Sequence, residues 1–104
     1  MIMLKMKFLL TDFEKSKGLI GAKEIYPVFF TTRWGIHTFG VLFPIDVLIL
    51  DNDNRVVKLT RELPPNRLFF WNPKYQNVVE LPASEIKRKG IILGDYITVQ
   101  STSS

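Results

Sequence analysis

The groups in this sequence that could do chemistry fall close together. Arg33-Trp34-Gly35-Ile36-His37-Thr38 sets a guanidinium, an indole, an imidazole and a hydroxyl within six residues, and Asp46 follows between Ile45 and Val47. An aspartate among apolar neighbours is costly to bury ionised without a partner. Either it bonds to backbone amides or to an arginine such as Arg33, Arg61 or Arg67, or its burial makes it a general acid or base in a pocket. His37 is open in the same way. It is a hydrogen-bonded structural residue, or it exchanges a proton with Asp46 while Arg33 clamps an anionic group. A groove near Arg33, Trp34, His37 and Asp46 is the expected ligand site, and no residue is assigned as catalytic.

Other chemistries lose their sequence support. With no cysteine and one histidine, the chain holds no disulfide, no thiolate nucleophile and no multi-histidine metal centre of its own. Asp51-Asn52-Asp53-Asn54-Arg55-Val56 begins like a calcium loop, but Arg55 stands at the fifth position and Val56 at the sixth, where glycine is needed. Phosphate loops, dinucleotide fingerprints and nucleophile elbows do not occur. No cofactor or metal is expected.

The 14 basic and 10 acidic residues give a net charge of +4, which permits attraction to polyanions without requiring it. The one tight basic run, Lys87-Arg88-Lys89, fits the solvated last turn of a short helix. Nucleic-acid binding is a rival reading: Phe69, Trp71 and Tyr75 would have to be exposed on the face that carries Arg67 and Lys74. An assembly role would need an exposed apolar patch. The N-terminal stretch is interrupted by Lys5 and Lys7 and reads as a strand rather than a leader. No window is apolar for long enough to span a membrane as a helix, so a cytoplasmic location is expected.

These side chains must be positioned by short strands. From Phe39 to Ile49 every odd position is apolar, a period of two, with Pro44 dividing the stretch. Leu48 and Leu50 join the odd residues, so Ile45 to Leu50 is expected to be buried on both faces. Asp51 to Asn54 supplies a turn, and Val56 to Thr60 returns as the second arm of a hairpin. Further strands are expected near Lys7–Thr11, Ile25–Thr32, Arg67–Trp71, Val78–Leu81 and Tyr96–Gln100. The polar run at 12–17 reads as a loop or one helical turn. Ser84-Glu85-Ile86 starts a short helix that Gly90 stops. At 104 residues, 46% apolar and 23% charged, one domain over residues 1–100 is expected, with a disordered tail at 101–104. The expected class is mainly β: an antiparallel sheet or barrel-like fold with one or two short helices.

Gly18-Leu19, the central Phe43-Pro44-Ile45-Asp46-Val47-Leu48-Ile49-Leu50-Asp51, Val79-Glu80-Leu81-Pro82, Gly90-Ile91 and Gly94-Asp95 follow in an order that resembles one known family. This is domain of unknown function 192, also called uncharacterised protein family 0127. The likeness runs from Gly18 to Ile97. The central run is similar to the family's I-P-L-D-hydrophobic signature, and Glu80 falls in its L-E-L element. Gly40-Val41 stands where many members have a polar N-T pair, and Gly18-Leu19-Ile20-Gly21-Ala22 departs from the usual G-L-M-x-R. The resemblance implies a compact β-rich domain without an established activity and transfers no catalytic residue. The leading expectation is therefore a binding or accessory protein for an unidentified ligand or protein partner.

Overall fold

Ile45–Leu50 forms the strand its sequence demands, with all six residues buried. In the computed structural model, which describes residues 2–11, 14–15 and 18–102, this strand is β4 of eight. The others are β1 (Ile2–Phe8), β2 (Val28–Thr31), β3 (Ile36–His37), β5 (Val56–Leu63), β6 (Leu68–Phe69), β7 (Asn77–Pro82) and β8 (Ile97–Ser101). Six of them make one sheet in the order β5-β4-β7-β2-β1-β8, curled into a half-barrel, while β3 and β6 pair separately. The molecule is mainly β, as the turn spacing suggests.

Period two decides which residues meet. Ile45, Val47 and Ile49 of β4 join Val78, Val28 and Phe30 on one face of the sheet, where Leu9, Leu19, Val41 and Trp71 complete the cluster. Leu48 and Leu50 join Val79, Leu81, Leu4 and Met6 on the other, covered by Ile86 and Ile91. The β3–β6 pair lies over the first face, since Ile36 and Phe69 pack against that cluster.

The hairpin forms as expected. Asp51 Oδ1 accepts from the N–H groups of Asp53 at 2.8 Å and Arg55 at 2.9 Å, and Asn54 takes a left-handed φ of 62°. The helix Glu85–Lys89 ends at Gly90 (φ 66°). Gly90 N–H donates to Lys87 O and Ile91 N–H to Ile86 O, a paired closure that a left-handed residue makes possible. Lys87, Arg88 and Lys89 are exposed there, and Arg88 and Lys89 pair with Glu85.

The structure differs in detail from the sequence reading at four places. First, β1 lies parallel to both β2 and β8 inside a sheet otherwise paired antiparallel. The long crossover from Leu9 to Pro27 makes the parallel β1–β2 pairing possible. Second, the alternation from Phe39 to Phe43 is not a strand. Phe39, Leu42 and Phe43 are exposed and only Val41 is buried, because Gly40 turns at φ 81° and Pro44 ends the segment. Third, Arg67–Trp71 shrinks to the two residues of β6, with Leu68 and Phe70 exposed. Fourth, β8 continues through Ser101, and Thr102 N–H donates to Met6 O at 3.0 Å, so the sheet outlasts the expected start of the tail. Ser103 and Ser104 lie outside the described residues, as do Asp12, Phe13, Ser16 and Lys17 of the polar run. Glu14 and Lys15 are helical: Glu14 N–H donates to Thr11 Oγ1, and Thr11 N–H to Glu14 Oε1, a reciprocal cap.

Candidate functional site

Asp46 is held by the backbone. Its neighbours show why. Between Ile45 and Val47 the β4–β5 register slips: Ile45 faces Leu63, but Val47 faces Thr60. One extra residue is thus bulged out of β5, and Glu62 there takes a φ of 51°. The Glu62 N–H donates instead to Asp46 Oδ1 at 2.8 Å, and the Ile86 N–H donates to Asp46 Oδ2 at 2.9 Å. The second is a first-turn amide of the helix, which Ser84 does not cap with its side chain. A fully buried carboxylate therefore fastens a bulge and a helix start at once. None of Arg33, Arg61 and Arg67 reaches it.

Asp46 shares its side of β4 with Leu48 and Leu50, whereas Arg33, Trp34 and His37 line a cavity on the opposite face. The structure therefore does not bring Asp46 into the expected groove, and the proposed exchange with His37 has no geometric basis. The His37 ring accepts at Nδ1 from Phe39 N–H at 3.2 Å, and the two rings stack with centroids 5.3 Å apart. Arg33 donates through Nη1 to Pro73 O at 2.8 Å and Lys74 O at 3.0 Å, which ties the β2–β3 turn to the β6–β7 connection. Trp34 is 84% exposed at the rim.

The acid of this cavity is Glu80. The space measures about 440 Å³ and is bounded by Lys15, the Gly18–Ile20 segment, Phe30 to His37, Val41 and Glu80. On β7 Glu80 stands between Val28 of β2 and Val47 of β4 and is 6% exposed. Among the described residues its carboxyl has no hydrogen-bond or ion-pair partner, and its oxygens are not sealed from the cavity. Burial pushes it up to about 7. Such a carboxyl can donate a hydrogen bond while protonated, or release its proton to become the counter-ion of an entering cation. The sequence marks Glu80 as an acid among apolar residues. What it does not reveal is that the opposing crossover leaves space there.

Thr38, whose hydroxyl falls in the same sequence cluster but was not placed in the expected groove, organises the cavity wall. Fully buried, its hydroxyl donates to Pro64 O at 2.7 Å and accepts from Arg67 N–H at 2.9 Å, locking the β3–β4 turn to the proline-rich connection. The nucleic-acid face is not formed as expected. Trp71 is buried with its indole N–H on Tyr75 O at 2.8 Å, and Phe69 is half-buried beneath Lys58, whose Nζ lies 4.9 Å from the ring centroid. No group of three or more metal-ligating side chains occurs among the described residues. Nor does any helix among them have the length and apolarity to cross a membrane.

The DUF192 family model, described as an uncharacterized ACR, matches residues 3–99. The chain belongs to the DUF192 family. Two solved structures are similar to this DUF192 protein in fold. One is a protein of unknown function from Novosphingobium aromaticivorans, 20% identical, with a TM-score of 0.76, covering 86% of this chain and 70% of its own. The other, from Sinorhizobium meliloti, is described as a candidate transcription regulator. It is 17% identical, with a TM-score of 0.72, covering 86% of this chain and 76% of its own. No curated protein matches. The DUF192 fold carries no established activity, and the position of Asp46 in the central signature coincides here with a structural clamp.

Proposed function

We propose that this DUF192 protein is a small-molecule binding module that takes its ligand into the cavity behind Trp34, with Glu80 as the anchoring group and Arg33 and His37 at the rim. One observation carries the reading: Glu80, 94% withdrawn from solvent as a residue and flanked by two valines, has no partner for its carboxyl among the described residues and lines an open space. Buried polar groups are almost always satisfied, so a bare one beside a cavity implies a partner that comes from outside. The volume suits a ligand of metabolite size, and the walls of Leu19, Phe30, Ile36 and Val41 provide the apolar lining such sites have. Backbone bonds to Arg33 and Thr38 keep the walls fixed before binding, which lowers the ordering cost.

A fragment panel followed by two-dimensional amide NMR tests the proposal. Binders are expected to shift Thr31, Gly35, Val41 and Glu80, and Glu80→Gln is expected to remove most of those shifts while leaving the rest of the spectrum in place. Binders that shift only residues outside this cavity, or that ignore Glu80→Gln, would overturn it.

A further inference from the structure

The distribution of charge across the cavity says which class of ligand it fits, and this step rests on the binding role just proposed. The buried end offers one acid, Glu80. At the rim Lys15 donates through Nζ to Thr31 Oγ1 at 3.3 Å, and Arg33 is held by two backbone carbonyls. Among the described residues neither cation has a carboxylate partner, since the ion pairs formed there are those of Glu85. Leu19, Phe30, Ile36 and Val41 add an apolar lining to the same cavity. A simple cation would meet Glu80 favourably but pass two like charges at the rim, and a simple anion would be attracted outside and opposed within. A molecule carrying both charges, separated by an apolar spacer, satisfies each end.

We propose that the cavity recognises a zwitterion whose amidinium, guanidinium or ammonium head enters to pair with Glu80 while its carboxylate or phosphate tail remains at Lys15 and Arg33. A forked head is the best match to the carboxylate, because two parallel N–H···O bonds form on one edge. The proton held by Glu80 leaves to solvent as the head binds.

The full chain is titrated with 4-guanidinobutanoate, with its methyl ester as the tail-neutral probe, with benzamidinium as a cation lacking a tail, and with butanoate. Amide NMR locates the binding and calorimetry gives the affinity. The guanidino acid is expected to bind at the cavity more tightly than any of the other three. Glu80→Gln should weaken it roughly 10- to 100-fold, as expected for loss of a charge-assisted pair. Lys15→Ala should weaken it roughly 2- to 5-fold, an effect that fades with added salt because the rim is solvated. If the ester or benzamidinium binds equally well and Lys15→Ala changes nothing, the zwitterion class is wrong and the Glu80-anchored site stands. If butanoate binds best, the charge order is wrong. If none of the four reaches the cavity while the fragment panel does, the ligand class falls alone; if the panel fails as well, both fall. The unchanged far-field spectrum of Glu80→Gln serves as the folding control.

Discussion

Glu80 makes the stability of this protein depend on pH in a direction opposite to that of most carboxylates. Burial raises the group from its ordinary value of 4.5 to about 7. Between those limits the unfolded chain has released the proton and the folded chain retains it, so stability falls as pH rises. The contribution is complete below 4.5, declines most steeply within the window, and levels off above about 7. At about 1.4 kcal/mol per pH unit the loss totals about 3 kcal/mol. That is a large share of the roughly 5–15 kcal/mol that holds a small domain together. Urea unfolding at half-unit steps from pH 4.5 to 8 measures it, with Glu80→Gln as the reference because it cannot ionise. The difference between wild type and variant isolates this one group from the other acids. It is expected to shift by about 3 kcal/mol against the wild type as pH rises. A difference that stays flat, or grows in the wild type's favour, would refute the argument that the carboxyl is buried without a partner.

Further expectations concern the supports of the site. Asp46→Ala strips two backbone donors of their acceptor, at 2.8 and 2.9 Å, and should cost about 3–5 kcal/mol in urea unfolding; Asp46→Asn, which retains one acceptor oxygen, should fall between it and wild type. Thr38→Val keeps the shape but leaves Pro64 O and Arg67 N–H unmatched by the hydroxyl, for a loss of about 1–3 kcal/mol, whereas Thr38→Ser should lose less. Gly35→Ala forces a Cβ to within 2.5 Å of Phe70 Cδ1 and 2.9 Å of Phe69 O at a φ of 88°, so thermal unfolding should shift downward and the amides of β3 and β6 should move. Glu85→Gln breaks an exposed helix pair with Arg88 and should change stability by less than about 1 kcal/mol.

How much of this was legible depended on the range over which the deciding interaction acts. Ile45–Leu50 and the turn at Asp51–Asn54 are governed by neighbours in sequence, so apolar runs and turn-forming residues were enough. The helix stop at Gly90 was readable for the same reason. Phe39–Phe43 misled because its alternation matches a strand, while the hydrogen bonds of Thr38 to Pro64 and Arg67, residues distant along the chain, keep that wall in a turn. Asp46 was recognisable as a buried acid needing partners, one of the two options being backbone amides. Its partners could not be located, since the bulge at Glu62 arises only when β5 meets β4. Glu80 shared the same signature of an acid among apolar residues. The two diverge because they face opposite sides of one sheet, and a pattern of period two does not say which side is filled.

The placement of β1 between β2 and β8 bears on how the molecule is made. Ile2 lies opposite Ile97 and Met6 opposite Ser101, so β1 cannot acquire its outer neighbour until synthesis has run on through Ser101. Such distant closure is entropically slow and leaves an uncovered strand flank in the meantime. The alternating lysines Lys5 and Lys7, both solvent-facing on β1, put like charges along that waiting flank and oppose its sticking to another nascent copy.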